Sequence, residues 1–348
     1  MPRIQGFEAY RMAMPRGRRP ESILVRVVGE DGAAGWGEVA GSDVCWSDIE
    51  ERVGPALLGL DWDLPEEVGG VVGGAGGSAA ASATDIACWD LWCRRKDSPL
   101  SHSLGGTRTS VMAGARLSAE PTLDVLLTRV SRLVGAGYTR VTLAVHPGWD
   151  VEPVRAVRRA FPALALQADA GEAYTEAPEH LGALVAMDAY GLVAIERPFP
   201  GGDLPAYARL QRQVGTAVCL DPADVETVDS AIAMDAGRML GLRISRLGGL
   251  TAARGAHDRA LAAGWETWCG GADGFGIGQA AAVALASLPG CDLPSDLTET
   301  PASTAVVSPP VSVSGGVVAV PLTQPGLGHQ IDTALVTRLA RQTLRIPA

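Results

Sequence analysis

Three acidic residues occupy similar short settings: LQADAGE around Asp169, AIERPFP around Glu196 and VCLDPAD around Asp221. Each follows a short apolar run, and they lie 27 and 25 residues apart, about one strand–helix unit in each case. Carboxylates at the ends of neighbouring strands repel one another unless a cation joins them. A hard divalent ion, Mg²⁺ or Mn²⁺, accepts three carboxylates and keeps octahedral positions for water or substrate. Acids after a strand also serve as helix N-caps. Three in succession at matched pitch favour the metal.

Such residues converge only on adjacent parallel strands. From Ser110 the chain alternates strand and helix, with strands expected at 111–117, 141–145, 164–168, 191–195, 217–220, 239–244, 265–269 and near 291–294. Amphipathic helices such as Val151–Arg159 and Ala252–Ala263 lie between them. About eight such units close into an α/β barrel, whose chemistry sits at the carboxyl ends of its strands.

The first hundred residues read as an α+β module. Strands are expected at Ile4–Tyr10, Ser22–Val28 and Ala33–Glu38, the last two joined by Glu30-Asp31-Gly32. A capping-box-like Ser47-Asp48-Ile49-Glu50 starts one helix, and Ala79–Arg95 forms another. A strand at 316–320 and a helix at 331–341 end the chain and are expected to return to this module. The expected division is a cap at 1–109, a barrel at 110–312 and a returning segment at 313–348.

Apolar residues make up 47% of the chain and charged ones 20%, the balance of a core-forming protein. The net charge of -10 argues against nucleic acid and anionic membranes as partners. No apolar run reaches membrane-spanning length, and arginines at 11, 16, 18 and 19 interrupt any signal-peptide pattern. The six scattered cysteines read as reduced thiols of a cytoplasmic protein. A small-molecule substrate is the expected partner, and a homo-oligomer the default assembly. Lysine occurs once, at Lys96 after the Ala79–Arg95 helix, where a solvated surface role is expected.

DIACWDLWCRR (85–95), PGWDVEPVRAVR (147–158), QADA (167–170), IERP (195–198), CLD (219–221), RLGGLTAARGAHD (246–258), WCGG (268–271) and QPGLGH (324–329) carry a resemblance along the whole chain. Their order and spacing resemble the enolase superfamily, in its muconate-lactonising-enzyme subgroup, nearest to the o-succinylbenzoate synthase and N-acylamino acid racemase family. The resemblance implies an α+β capping domain on a modified TIM barrel of the (β/α)7β kind. It implies that Asp169, Glu196 and Asp221 stand at the family's three Mg²⁺ ligand positions.

It implies departures too. The family removes a proton beside a metal-bound carboxylate with a lysine base. The two lysine positions on the second barrel strand are Thr142 and Ala144 here, and the one on the sixth strand is Arg243. Gly171, Pro222 and Gly274-Phe275 also differ from the family pattern, and the loop at 12–22 is shorter than usual. Racemisation of N-acylamino acids needs bases on both faces of the substrate, so the altered site argues against it. It also argues against o-succinylbenzoate synthesis by the usual bases.

Three residues are candidates for the missing chemistry. His146, in RVTLAVHPGWD, lies two residues beyond Ala144, and strand parity would aim its imidazole inward as a general base; a loop histidine before Pro147 is the plainer role. Arg243 would hold a substrate carboxylate or a developing oxyanion, or act as a structural ion-pair partner. Asp273, in GGADGFG, would act as acid or base, or only form a turn. Asp296 and Glu299 are secondary candidates. The expected function is a divalent-metal-dependent lyase or isomerase acting by elimination, dehydration or cyclisation on a small carboxylate or carbonyl substrate, within specialised metabolism. The alternatives are a non-catalytic relative that binds a ligand or partner, and a metal-independent catalyst on the same barrel.

Overall fold

The structure is a computed structural model that describes residues 3–13, 21–58, 60–75, 77–271 and 274–347. Strands β1 (Ile4–Ala13), β2 (Glu21–Gly29) and β3 (Ala34–Ala40) form an antiparallel sheet, as their alternating apolar residues require. The helix Ser78–Arg95 lies across this sheet. Gly35 and Gly37 permit the contact, because a Cβ at these positions would stand 2.0 Å from the Ala87 carbonyl oxygen and 1.8 Å from that of Ala83. The first cap helix starts earlier than the Ser47 motif suggests. It begins at Asp43 and is capped by Ser42, whose hydroxyl accepts from the Cys45 amide at 3.1 Å.

Buried carboxylates fasten the cap to the barrel. Glu38 accepts from the Phe275 and Gly278 amides at 2.6 and 3.0 Å, and from the Ser22 hydroxyl at 2.8 Å. Asp85 accepts from the Thr251 hydroxyl at 2.6 Å, and Asp90 from the Trp36 and Leu327 amides at 3.0 and 2.8 Å.

The run expected at 111–117 divides in two. Its first part, β4 (Ser110–Met112), pairs antiparallel with Val317–Ala319, and its second, β5 (Gly114–Leu117), enters the barrel. Six parallel strands follow: β6 (Arg140–Ala144), β7 (Ala165–Asp169), β8 (Ala194–Glu196), β9 (Ala217–Leu220), β10 (Met239–Leu242) and β11 (Glu266–Cys269). Closure comes at Ser295 and Asp296, slightly later than the expected eighth strand. The Ser295 carbonyl accepts from the Gly114 amide of β5 at 2.6 Å, and the Asp296 amide donates to Cys269 O of β11 at 2.9 Å, joining the last barrel strand to the first. The chain ends on a helix of only seven residues, Thr333–Leu339, and then a strand, Ala340–Pro347, which pairs with β1.

Candidate active site at the barrel mouth

Strand alternation decides which side chains meet inside the barrel. Its floor is apolar: Ala194, Cys219, Met239 and Trp268 pack together, with Trp268 Nε1 3.4 Å from Cys219 Sγ. Gly241 leaves room for the indole, since a Cβ there would stand 2.8 Å from Trp268 Cζ2.

Above the floor lies a layer of ion pairs. Arg140 is fully buried, its guanidinium 4.8 Å over the Trp268 ring; it donates to Gln167 Oε1 at 2.6 Å and to Asp296 Oδ1. Arg116 spans three carboxylates, with Nε donating to Asp296 Oδ2 at 3.0 Å, Nη1 to Asp169 Oδ2 and Nη2 to Glu196 Oε2 at 2.8 Å. Arg243 donates through Nε to Asp221 Oδ2 at 2.7 Å and through Nη2 to Glu196 Oε1 at 2.9 Å. Arg197 clasps Asp169 with Nη2 at 2.8 and 2.7 Å from its two oxygens. In a straight strand Arg197 would face away from Glu196; its left-handed φ of 49° ends the alternation, and both side chains join the site.

The electrostatics follow from this packing. Burial pushes the Glu196 carboxyl up, but the Arg116 and Arg243 guanidiniums outweigh burial and hold it at about 2. For Asp221 the balance is reversed, and burial raises the carboxyl despite Arg243 and Arg246. Burial opposes the charge on Arg116, yet Glu196, Asp296 and Asp169 together raise it above the ordinary guanidinium value. The carboxylates lie deep, with side-chain exposures of 9% for Asp169, 0% for Glu196 and 1% for Asp221. The arginines lie nearer to solvent, at 19% for Arg116, 23% for Arg197, 25% for Arg243 and 35% for Arg246. An incoming ligand therefore meets a mainly cationic surface, with Glu172 beside Arg246 at 3.6 Å.

Of the residues singled out from the sequence, the structure draws Asp169, Glu196, Asp221 and Arg243 into one cluster. His146 stands apart from it. β6 ends at Ala144, and the imidazole is exposed with Nδ1 3.0 Å from Pro147 O. Asp273, and residues 14–20 of the 12–22 loop, lie outside the described residues. Lys96 is exposed at the end of the cap helix, its Nζ 5.7 Å from the Trp92 ring. The three carboxylates, expected from their spacing to share a metal ion, are paired here with guanidinium groups. The cluster also holds Arg116, Arg140 and Arg197, which the sequence patterns do not single out, and the secondary candidate Asp296. The available signal was an arginine at an inward position of a short, mostly apolar strand, as Arg116 and Arg140 are.

A capped barrel of seven parallel strands, with three acids at the ends of consecutive strands, defines a class of protein, and the comparisons with known proteins make the class specific. Residues 126–335 match the family model "Enolase C-terminal domain-like", and residues 6–105 match "Mandelate racemase / muconate lactonizing enzyme, N-terminal domain". The o-succinylbenzoate synthase of Geobacillus kaustophilus is 37% identical over 339 residues, 91% of this chain and 88% of the relative. The N-succinylamino acid racemase of an Amycolatopsis species is 36% identical over 325 residues, 88% of this chain and 87% of the relative. A solved enolase-superfamily member from Listeria innocua superposes with a TM-score of 0.93 at 27% identity, covering 100% of both chains. The chain belongs to the enolase superfamily, in its mandelate racemase and muconate lactonizing subgroup.

Members of this superfamily typically use Mg²⁺. The cluster as arranged does not fit that ion. Of the six oxygens on Asp169, Glu196 and Asp221, only Asp221 Oδ1 has no hydrogen-bond partner; the other five accept from arginine. Four guanidiniums (Arg116, Arg140, Arg197 and Arg243) already balance four carboxylates, Asp296 included. Among the described residues no helix is long and apolar enough to cross a membrane.

Proposed function

We propose that this chain is an enolase-superfamily lyase or isomerase that binds a small carboxylate at the barrel mouth and carries out an elimination, dehydration or cyclisation. One observation carries the reading: partly exposed guanidinium groups of Arg116, Arg197, Arg243 and Arg246 stand over buried carboxylates and form the surface a ligand meets. Guanidinium pairs with carboxylate through two parallel hydrogen bonds. Its permanent charge also stabilises an oxyanion that develops beside it, the role assigned to Arg243. Two relatives are named for o-succinylbenzoate and for N-succinylamino acids. We carry over to this chain only what those names share, a succinyl-bearing ligand.

Two groups are candidates to move the proton, His146 first. Nδ1 of His146 can only donate to the Pro147 carbonyl, at 3.0 Å, which leaves the Nε2 lone pair free for a general base. Asp273 is the second candidate. A single base suffices for elimination or cyclisation, whereas racemisation needs a proton donor on the opposite face. One observation favours ligand binding without turnover instead: no hydrogen bond or ion pair joins His146 to the arginine cluster among the described residues.

Calorimetric titration with o-succinylbenzoate and with N-succinylamino acids tests the reading, followed by proton NMR in D2O to detect exchange of the proton beside the carboxylate. Binding that weakens with salt and in Arg243→Ala is expected, with exchange at retained configuration that slows about a hundred-fold in His146→Ala. Failure to bind any of these anions would remove the proposed substrate class. Binding without exchange would assign the non-catalytic reading.

A further inference from the structure

We infer that the guanidinium groups of Arg116 and Arg243, converging on Glu196 from two sides, occupy the place of a divalent cation and make this barrel mouth a metal-free ion-pair centre. The inference rests on taking the mouth as the functional site, but it concerns what neutralises that site and not what the site turns over.

Three observations carry it. First, Glu196 is fully buried, and both of its oxygens are taken: Oε1 by Arg243 at 2.9 Å, and Oε2 by Arg116 at 2.8 Å and Gln167 Nε2 at 2.8 Å. Both lone pairs of Oε2 are used by these donors, and a dication drawn to Oε1 would stand against the Arg243 guanidinium that donates to it, so cation and guanidinium compete for Glu196. Second, the charge is already balanced, and a dication entering the intact cluster would leave two uncompensated positive charges in a largely buried layer. Such charge costs several kcal/mol unless it is paired.

Third, neither arginine is a loose side chain that has drifted into an open site. Arg116 is held behind by Asp296, whose Oδ2 accepts from Nε at 3.0 Å while its Oδ1 holds buried Arg140. Asp296 is itself fixed by the closing segment, its amide donating to Cys269 O at 2.9 Å. The guanidiniums of Arg116 and Arg243 each lie 5.7 Å from the centre of the Trp268 ring, Arg140's being closer at 4.8 Å. The ring's negative face adds to their stabilisation. Gly114 belongs to the same arrangement, since a Cβ there would stand 2.5 Å from Arg140 Nε.

Two consequences distinguish this centre from a metal site. The electrophile that faces a bound carboxylate is a fixed hydrogen-bond donor, so ligand binding does not respond to chelators. The three strand-end acids also become support for the arginines, so neutralising one of them loosens an arginine and does not release an ion.

Mn²⁺ titration of chelator-treated full-length protein, followed by EPR with no organic ligand present, tests the inference apart from the proposed function. The wild type is expected to show no site up to about 1 mM Mn²⁺. Arg116→Ala/Arg243→Ala is expected to gain a site at least about ten-fold tighter, which adding Glu196→Gln abolishes. A wild-type site that weakens in Glu196→Gln would overturn the inference, and that titration decides even where the double variant fails to fold. A folded double variant that still binds no Mn²⁺ would overturn it too, because something other than the two arginines would then exclude the ion. Loss of carboxylate binding in the calorimetry would instead count against the proposed function and leave this result standing.

Discussion

Replacing Arg116 by alanine should destabilise the protein severely, and the structure sets the size of the effect. The side chain is about one-fifth exposed and donates to three carboxylates: Asp296 at 3.0 Å, Glu196 at 2.8 Å and Asp169. Each of these acceptors keeps another partner, Arg140, Arg243 or Arg197, so no carboxylate is wholly abandoned. The cluster is nevertheless left with one excess negative charge around fully buried Glu196. Removing one member of a buried pair costs about 3–5 kcal/mol, chiefly as the penalty of the stranded charge. The pH dependence gives the cause away. In the parent, Glu196 is held at about 2 against an ordinary 4.5, a depressed value that contributes stability above about pH 4.5 and loses it as pH falls toward 2. The variant lacks much of that contribution, so the gap between the two proteins should be widest near neutral pH and narrow below about pH 4. Urea unfolding followed by tryptophan fluorescence measures both quantities. A cost below about 1 kcal/mol at pH 7, or a gap that does not change with pH, would refute the idea that Arg116 neutralises buried carboxylates.

Two further outcomes follow from single positions. Burial pushes the Asp85 carboxyl from 3.8 up to about 7, even though the Thr251 hydroxyl and amide pull it down. Between roughly pH 4 and 7 the folded state then keeps a proton that the unfolded state has lost, so stability should fall as pH rises by up to about 4 kcal/mol, and Asp85→Asn should flatten that slope in melts across the range. Gly241→Ala would place a methyl 2.8 Å from Trp268 Cζ2; a loss of about 1–3 kcal/mol is expected in thermal unfolding, and an unchanged melting temperature would mean that the indole has room to move.

How much could be read in advance differs between fold and site. The cap strands, the long helix after Ser78 and the strand–helix pitch beyond Ser110 all lay in local patterns, because apolar alternation and helical periodicity depend on neighbours in the chain. The last element did not: Ala340–Pro347 is a strand because β1 offers it an open edge, and nothing local to those residues announces that edge. Closure at Ser295 and Asp296 escaped for a similar reason, as two residues bonded to strands far away in sequence carry no periodicity of their own.

For the site, the sequence by itself determined that Asp169, Glu196 and Asp221 stand at the ends of three consecutive strands, since pitch and residue type suffice for that. It also determined that the only lysine lies outside the barrel. What stands between the acids was decided by tertiary structure alone. Arg116 comes from β5, Arg197 from a left-handed residue after β8, and Arg243 from the end of β10; they meet the acids only because parallel register and barrel closure bring these ends together. A carboxylate's neighbours along the chain say nothing about the charge it faces across a barrel. That charge depends on which side chains point inward at the same level, and only the closed sheet sets it.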